Sequence, residues 1–335
     1  MFDKETLAII YVGLMALTVL LYAVLDGYDL GVGMLMPLNN DEQADTMIAS
    51  IGPFWDANET WLVMAIGLLL IAFPAAHSIV FKALYIPTLV LLISLILRGI
   101  AFDFRAKALF THKPFWNKVF KFGSLFASLS QGYMLGQYIV GFDQSLMSIG
   151  FSLLSAIGVA IAYTLIGAAW LVMKCEDELQ MRAIKWFHKA IYISGFGVLA
   201  VSIVNPLVNA TVFERWLNSP MFWALPILCI ICFVFSLVEI TKMMARKRID
   251  STSDLRCWTP FALTTLIFSL CFGGIALSFF PYIVPGTLTI WDAVAAPQSL
   301  NFLLWGAMIV IPTIILYTAY SYRVFWGKVS PLQYY

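Results

Sequence analysis

Six ionisable side chains lie inside or at the edge of the first three apolar stretches: Asp26, Asp29, Asp56, Glu59, Arg98 and Asp103. They fall in three motifs, DGYDLGVGM at 26–34, WDANETW at 55–61 and RGIAFDFR at 98–105. A charge at the centre of a hydrocarbon layer costs about 2.5 kcal/mol or more, so such residues face a partner, a wet cavity or an ion path. Asp26/Asp29 and Asp56/Glu59 are each spaced i, i+3, which puts each pair on one helix face. Five carboxylates against one guanidinium leave several acids without a counter-charge, protonated or facing water. Two compatible readings follow. One is a buried ion-pair network bracing the helices through Arg98; the other is a hydrophilic, proton-conducting entrance. Trp55 adjoins the cluster and reads first as packing.

The elements that must position these groups are membrane helices. Of 335 residues, 61% are hydrophobic and 12% charged, about half the charged fraction of a soluble domain. Apolar stretches of spanning length recur from end to end, so the chain reads as one all-α, polytopic integral membrane domain, 1–335. Hydropathy and Pro/Gly-rich breaks predict nine spans, near 7–36, 54–76, 79–102, 119–141, 148–173, 188–210, 221–244, 259–280 and 301–325. The opening MFDKE lacks the basic stretch of a secretory signal, so the first run is expected to stay as a helix. A net charge of +1 without a free basic segment gives no reason to expect nucleic acid as a partner.

Orientation follows from Lys and Arg. Nine spans put sixteen of the twenty basic residues on one side, in the 3–4, 5–6 and 7–8 connections and the tail. Lys4, Lys82 and Arg215 fall on the other side, and Arg98 lies within a span. The positive-inside rule then places the N-terminus outside and the C-terminus in the cytoplasm. On that topology Asp26 lies roughly 30 Å along the first helix, and all six charged groups are expected in the cytoplasmic third of spans 1–3.

Other candidates carry less. DGYD at 26–29 lacks the alternating oxygen ligands and closing Glu of a calcium loop, so no metal site is expected. Cys229-Ile-Ile-Cys232 has redox spacing but lies among apolar residues, where cysteine acts as a small hydrophobe. None of the five cysteines falls in an outer connection, which argues against a disulfide framework. A membrane haem usually takes a His ligand from a helix. His77, His112 and His188 are all expected in or near connections, so no haem is expected on this chain. The Pro- and aromatic-rich stretch 279–293 reads as an ordered cap on the outer surface.

Six segments together resemble a known family: the three charged motifs, FFPYIV at 279–284, LTIWDA at 288–293 and LYTAY at 316–320. They resemble, in order and across essentially the whole chain, subunit II of the cytochrome bd-type quinol oxidases, with a length similar to the shorter, cyanide-insensitive branch. The resemblance implies two four-helix bundles plus one peripheral helix. It implies an obligate partner, subunit I, carrying two haems b, one haem d and the quinol site. The complex would oxidise quinol, reduce dioxygen to water with protons from the cytoplasm, and build a proton-motive force in the bacterial cytoplasmic membrane. It further implies a structural quinone or lipid in this subunit in some members, and a small single-helix accessory subunit. By motif, Asp56 would be the principal proton-path carboxylate, with Asp26, Asp29, Glu59 and Asp103 in the same charged region. Asp29, Trp55 and Arg98 would support the interface and the haem environment. Glu59 stands where some members have Gln, and so adds a titratable group. The rival function from another class is a stand-alone proton- or cation-coupled transporter; a purely structural assembly subunit is the third.

Overall fold

The computed structural model describes residues 2–107, 112–208, 216, 221–250 and 254–329. Arg215 and the end of the expected sixth span, 209–210, lie outside them. Twelve helices and one two-stranded ribbon account for the described chain. They are α1 (Lys4–Leu35), α2 (Asp41–Ile51), α3 (Trp55–Ala72), α4 (Pro74–Ala83), α5 (Tyr85–Lys107) and α6 (Lys113–Ile139), then α7 (Leu146–Lys174), α8 (Asp177–Val208), α9 (Met221–Ile249) and α10 (Thr259–Phe279). β1 (Tyr282–Val284), β2 (Leu288–Thr289), α11 (Ile290–Ala293) and α12 (Pro297–Val324) complete the order.

Among the described residues, eight helices are long and apolar enough to cross a bilayer: α1, α3, α5, α7, α8, α9, α10 and α12. The expected span at 119–141 falls on α6, which is as long but less apolar because small and polar residues fill its packed faces. A Cβ on Gly136 would sit 2.5 Å from the Ser152 Cα, and one on Gly132 2.7 Å from the Ala156 Cα. Small residues of this kind let helix backbones approach closely.

α1 lies at the centre, packed on α3, α6, α7 and α10, while α5 packs along α6. α7, α8, α9 and α10 close a ring, each touching the next. α12 runs at the periphery with few buried residues, Leu300, Leu304 and Ile311 among them.

Three expectations need correction. The second span does not run to 76: α3 stops at Ala72 and α4 begins at Pro74. Proline supplies no N–H and disfavours helical backbone in the residue before it, and Phe73 accordingly takes φ −134, ψ 61. The third span therefore starts at Tyr85 rather than 79 and reaches Lys107. Between α1 and α3 lies a further helix, α2, whose Asn40 cap accepts from the Gln43 N–H. Its Ala44, Met47, Ile48 and Ile51 are buried, the spacing of an amphipathic helix. His188, expected in a connection, lies within α8, because the charged residues 177–189 form that helix's first turns instead of a loop.

At one end of the molecule the ribbon and α11 cover the helix tips. Ile283, Val284, Ile290 and Ala293 pack against Leu7, Tyr11, Phe73 and Ala76. Gly286, at φ +72, permits the tight turn between β1 and β2.

Candidate functional site

Four of the six charged residues meet at one point. α1 carries Asp26 and Asp29 one turn apart, α3 brings Asn58 and Glu59 in its first turns, and α5 delivers Arg98. Arg98 Nη1 donates to Glu59 Oε1 at 2.8 Å and to Asp26 Oδ1 at 3.1 Å. Its Nη2 lies 3.9 Å from Asp29 Oδ2. The side chains of Arg98, Asp26 and Asp29 are 0–1% exposed, whereas that of Glu59 is 24% exposed. The guanidinium lies over two rings, 5.9 Å from the centre of Trp55 and 5.7 Å from that of Phe120. Cation–π attraction of this kind grows where water is excluded.

Asp56 and Asp103 do not join the contact. Both are exposed, Asp56 one helical turn before Glu59 and Asp103 beyond Arg98 on α5. Trp55 packs on Phe102, ring centres 4.9 Å apart, between the surface and Arg98.

Three carboxylates against one guanidinium would carry two net negative charges if all were ionised. In a low-dielectric interior that excess is costly, so the cluster can bind and release protons. Asp26 Oδ2, Asp29 Oδ1, and Arg98 Nε and Nη2 are buried without a hydrogen-bond partner among the described residues. Buried polar atoms of this kind are commonly met by ordered water.

Hydrogen-bonded side chains that the sequence reading did not single out extend the site on two sides. Beside Asp29, Asn58 Nδ2 donates to Asp29 Oδ2 at 2.8 Å and to the Tyr28 hydroxyl at 3.0 Å. That hydroxyl lies 2.6 Å from the hydroxyl of Tyr322 on α12. On the other side, the Tyr163 hydroxyl donates to Gln131 Oε1 at 2.6 Å, and Gln131 Nε2 donates to the Tyr22 hydroxyl at 2.7 Å. Tyr22 precedes Asp26 by four residues and so shares its helix face. That spacing was a readable signal. The partners on α6, α7 and α12 had none, because they depend on where helices cross.

The basic end below the site is tied down by further polar contacts. Arg105 donates to Asp45 Oδ1 and to Asn117 Oδ1, both at 2.5 Å, which clasps α2 to α5 and α6. Lys174 Nζ donates to the carbonyls of Phe325 (2.6 Å) and Gly327 (3.1 Å), folding the chain beyond α12 under α7.

Among the described residues, no three His, Cys, Asp or Glu side chains are grouped as metal ligands would be. His77 lies in α4, His112 just before α6 and His188 in α8, and none is among the residues bonded to the charged cluster. The five cysteines are free thiols.

Comparison with known proteins gives one consistent result. The family model described as cytochrome bd terminal oxidase subunit II matches residues 7–325. The chain is 30% identical to cytochrome bd-I ubiquinol oxidase subunit 2 of Escherichia coli K12, covering 98% of this chain and 97% of that protein. It is 29% identical to cytochrome bd ubiquinol oxidase subunit 2 of Bacillus subtilis 168, covering 91% and 92%. Its fold is similar to a chain in the structure of bd oxidase from Geobacillus thermodenitrificans, with TM-score 0.78 and 16% identity over 96% and 98% of the two chains.

Proposed function

The chain belongs to the cytochrome bd terminal oxidase subunit II family, and from that premise we propose how its charged cluster serves the oxidase. The chain is a multi-pass membrane subunit of a quinol:oxygen oxidoreductase. In our reading it spans the bacterial cytoplasmic membrane nine times, through α1, α3, α5 to α10 and α12, as two groups of four plus peripheral α12. The N-terminus is outside and the C-terminus in the cytoplasm. The positions of Lys and Arg support that orientation.

Subunit I would be the obligate partner and carry two haems b, one haem d and the quinol site, with ubiquinol and dioxygen as substrates of the complex. His77 on α4, His112 before α6 and His188 on α8 make no bond to the cluster, so the cluster offers a haem no axial ligand. Its contribution is protonic. Asp56, exposed at the start of α3, collects a proton from the cytoplasm. Glu59, one turn on and partly exposed, takes it to the Arg98 centre. Asp26 and Asp29 hold the charge balance there while the proton passes toward the partner. Asp103 keeps the cytoplasmic mouth acidic, and Trp55 separates Arg98 from the surface. The single observation that carries this reading is the graded exposure of carboxylates around one buried guanidinium, from Asp56 through Glu59 to Asp26.

The test is steady-state oxygen consumption by the purified complex carrying Asp56→Asn, with its optical spectrum. Slower turnover with an intact haem spectrum is expected. Unchanged turnover removes Asp56 from the path, and loss of all haem assigns it to assembly instead. A colourless single chain that moves protons or cations alone would return the transporter reading.

A further inference from the structure

Asp29 lies at the inner end of a polar chain that does not pass through Asp56. We propose that Tyr322 and Tyr28 form a second proton entrance, delivering protons to Asp29 from the end of α12. This rests on the reading of the charged cluster as a proton-handling centre.

The geometry is that of a relay. The two phenolic oxygens are 2.6 Å apart, and a phenol both donates and accepts. A proton can therefore move in concert: Tyr322 gives its hydrogen to the Tyr28 oxygen, Tyr28 releases its own toward Asp29, and solvent reprotonates Tyr322. No tyrosinate and no electron transfer are involved. Asn58 Nδ2 lies 3.0 Å from the Tyr28 oxygen and 2.8 Å from Asp29 Oδ2, so the two oxygens are less than about 6 Å apart, a gap that one bridging water spans. Asn58 cannot itself pass a proton by donating to both; it holds the two ends in register.

The rings are fixed from both sides. Tyr28 stacks on Trp170 with ring centres 4.2 Å apart, and Tyr322 stacks on Phe54 at 4.5 Å. Tyr28 is fully buried, while Tyr322 is partly exposed in the last turn of α12. It precedes the turn that Lys174 clasps through the Phe325 and Gly327 carbonyls. The polar chain thus begins at a partly exposed residue and ends on a carboxylate with a buried oxygen, Asp29 Oδ1, that no described residue bonds. A hydroxyl pair serving only to anchor α12 would not need a third member joined to Asp29.

Parallel routes have a kinetic signature that a structural contact lacks. In the purified two-subunit complex, D56N and Y322F would each slow oxygen consumption by less than about threefold. The double variant D56N/Y322F would lose more than the product of the two, about tenfold or more. Its solvent deuterium isotope effect would rise, because proton delivery then limits turnover. A double variant no slower than D56N overturns the second entrance, as does an equal loss in both backgrounds with an unchanged isotope effect. Should Y322F lose haem, Y28F asks the same question while keeping the stack on Trp170. Failure of the underlying reading looks different: D29N and E59Q would then leave turnover untouched. A slowed D29N with D56N/Y322F equal to D56N sinks the second entrance alone.

Discussion

Gly31 in α1 and Gly167 in α7 meet backbone to backbone, so that a Cβ on Gly167 would sit 2.5 Å from the Gly31 carbonyl carbon and 2.6 Å from its Cα. The same crossing brings the Gly31 Cα face onto the carbonyl of Tyr163. Asp29 lies one half-turn from this contact, so the closeness of α1 and α7 sets where the charged cluster can form. Neither neighbour is a flexible side chain that could give way.

Gly31→Ala and Gly167→Ala should therefore force the two helices apart. Overpacking typically costs about 1–3 kcal/mol, and a clash with backbone belongs at the upper end. The expected outcome is a lower thermal midpoint and a lower yield of haem-loaded complex. Gly158→Ala, on the same α7 with nothing within 4 Å of its Cβ position, should leave both unchanged or slightly raised, since Ala favours helix by about 0.5–1 kcal/mol. Equal effects at 158 and 167 would remove the close crossing as the cause.

Arg98→Met should be the most damaging single change in the site. It leaves Asp26, Asp29 and Glu59 around an apolar side chain, and breaking a buried ion pair in this way costs about 3–5 kcal/mol. Arg98→Lys should recover little, because a lysine ammonium cannot span Glu59, Asp26 and Asp29 with the fork of a guanidinium. The measurement is haem content and thermal midpoint of the purified complex. Adding Asp26→Asn to Arg98→Met should restore part of the loss by removing one uncompensated carboxylate; no restoration would argue against charge imbalance as the mechanism.

Much of this site was legible in the sequence because charge in an apolar run is a loud signal and i, i+3 spacing fixes a face. Asp26, Asp29, Glu59 and Arg98 could be brought to one depth by counting along α1, α3 and α5. The outward position of Asp56 could not be read, since one turn of α3 separates a surface residue from a contact residue without changing its type. Tyr22, Gln131 and Tyr163 form a single hydrogen-bonded line from three helices, and no local pattern announces a crossing. The α2 helix had a readable signal in Ala44, Met47, Ile48 and Ile51, obscured by the acidic residues on its other face. The α3–α4 break was written in Pro74.

Acidity should loosen the segment that follows α12. Asp254 lies between α9 and α10, outside the spans, and accepts from Gln180 Nε2 at 2.8 Å. It pairs with Lys328 at 3.1 Å and Lys247 at 3.4 Å. Burial alone would raise its pKa, but the hydrogen bonds from Gln180 and Lys328 and the two ammonium charges outweigh that and hold it below the ordinary 3.8. A carboxylate with a depressed folded pKa contributes stability above the unfolded value and loses it as pH falls through the folded one. The tie should therefore persist at neutral pH and fade only below about pH 4. Asp254→Asn should release it at neutral pH. Hydrogen exchange at residues 325–329 is the readout, and equal protection in the variant and the parent would show that the contacts at Lys174 and Cys175 hold the segment without Asp254.

Glu59→Gln should separate stability from turnover. Glu59 is the partly exposed member of three carboxylates that share one guanidinium. Removing its charge leaves Arg98 with Asp26 and Asp29 and reduces the excess negative charge, while the amide oxygen can still accept from Arg98 Nη1. A change of this kind is expected to be neutral or to stabilise by about 1 kcal/mol. The amide, however, cannot take up and release a proton, so the step between the surface and Asp26 is interrupted. The expected result is a thermal midpoint at or above that of the parent, an unaltered haem spectrum, and oxygen consumption slowed by less than about threefold while Tyr322 still feeds Asp29, and by about tenfold or more when Tyr322→Phe is added, the size of effect that a lost proton-transfer group commonly produces. If Glu59→Gln instead lowers the midpoint and leaves turnover intact, Glu59 braces the helices and carries no protons.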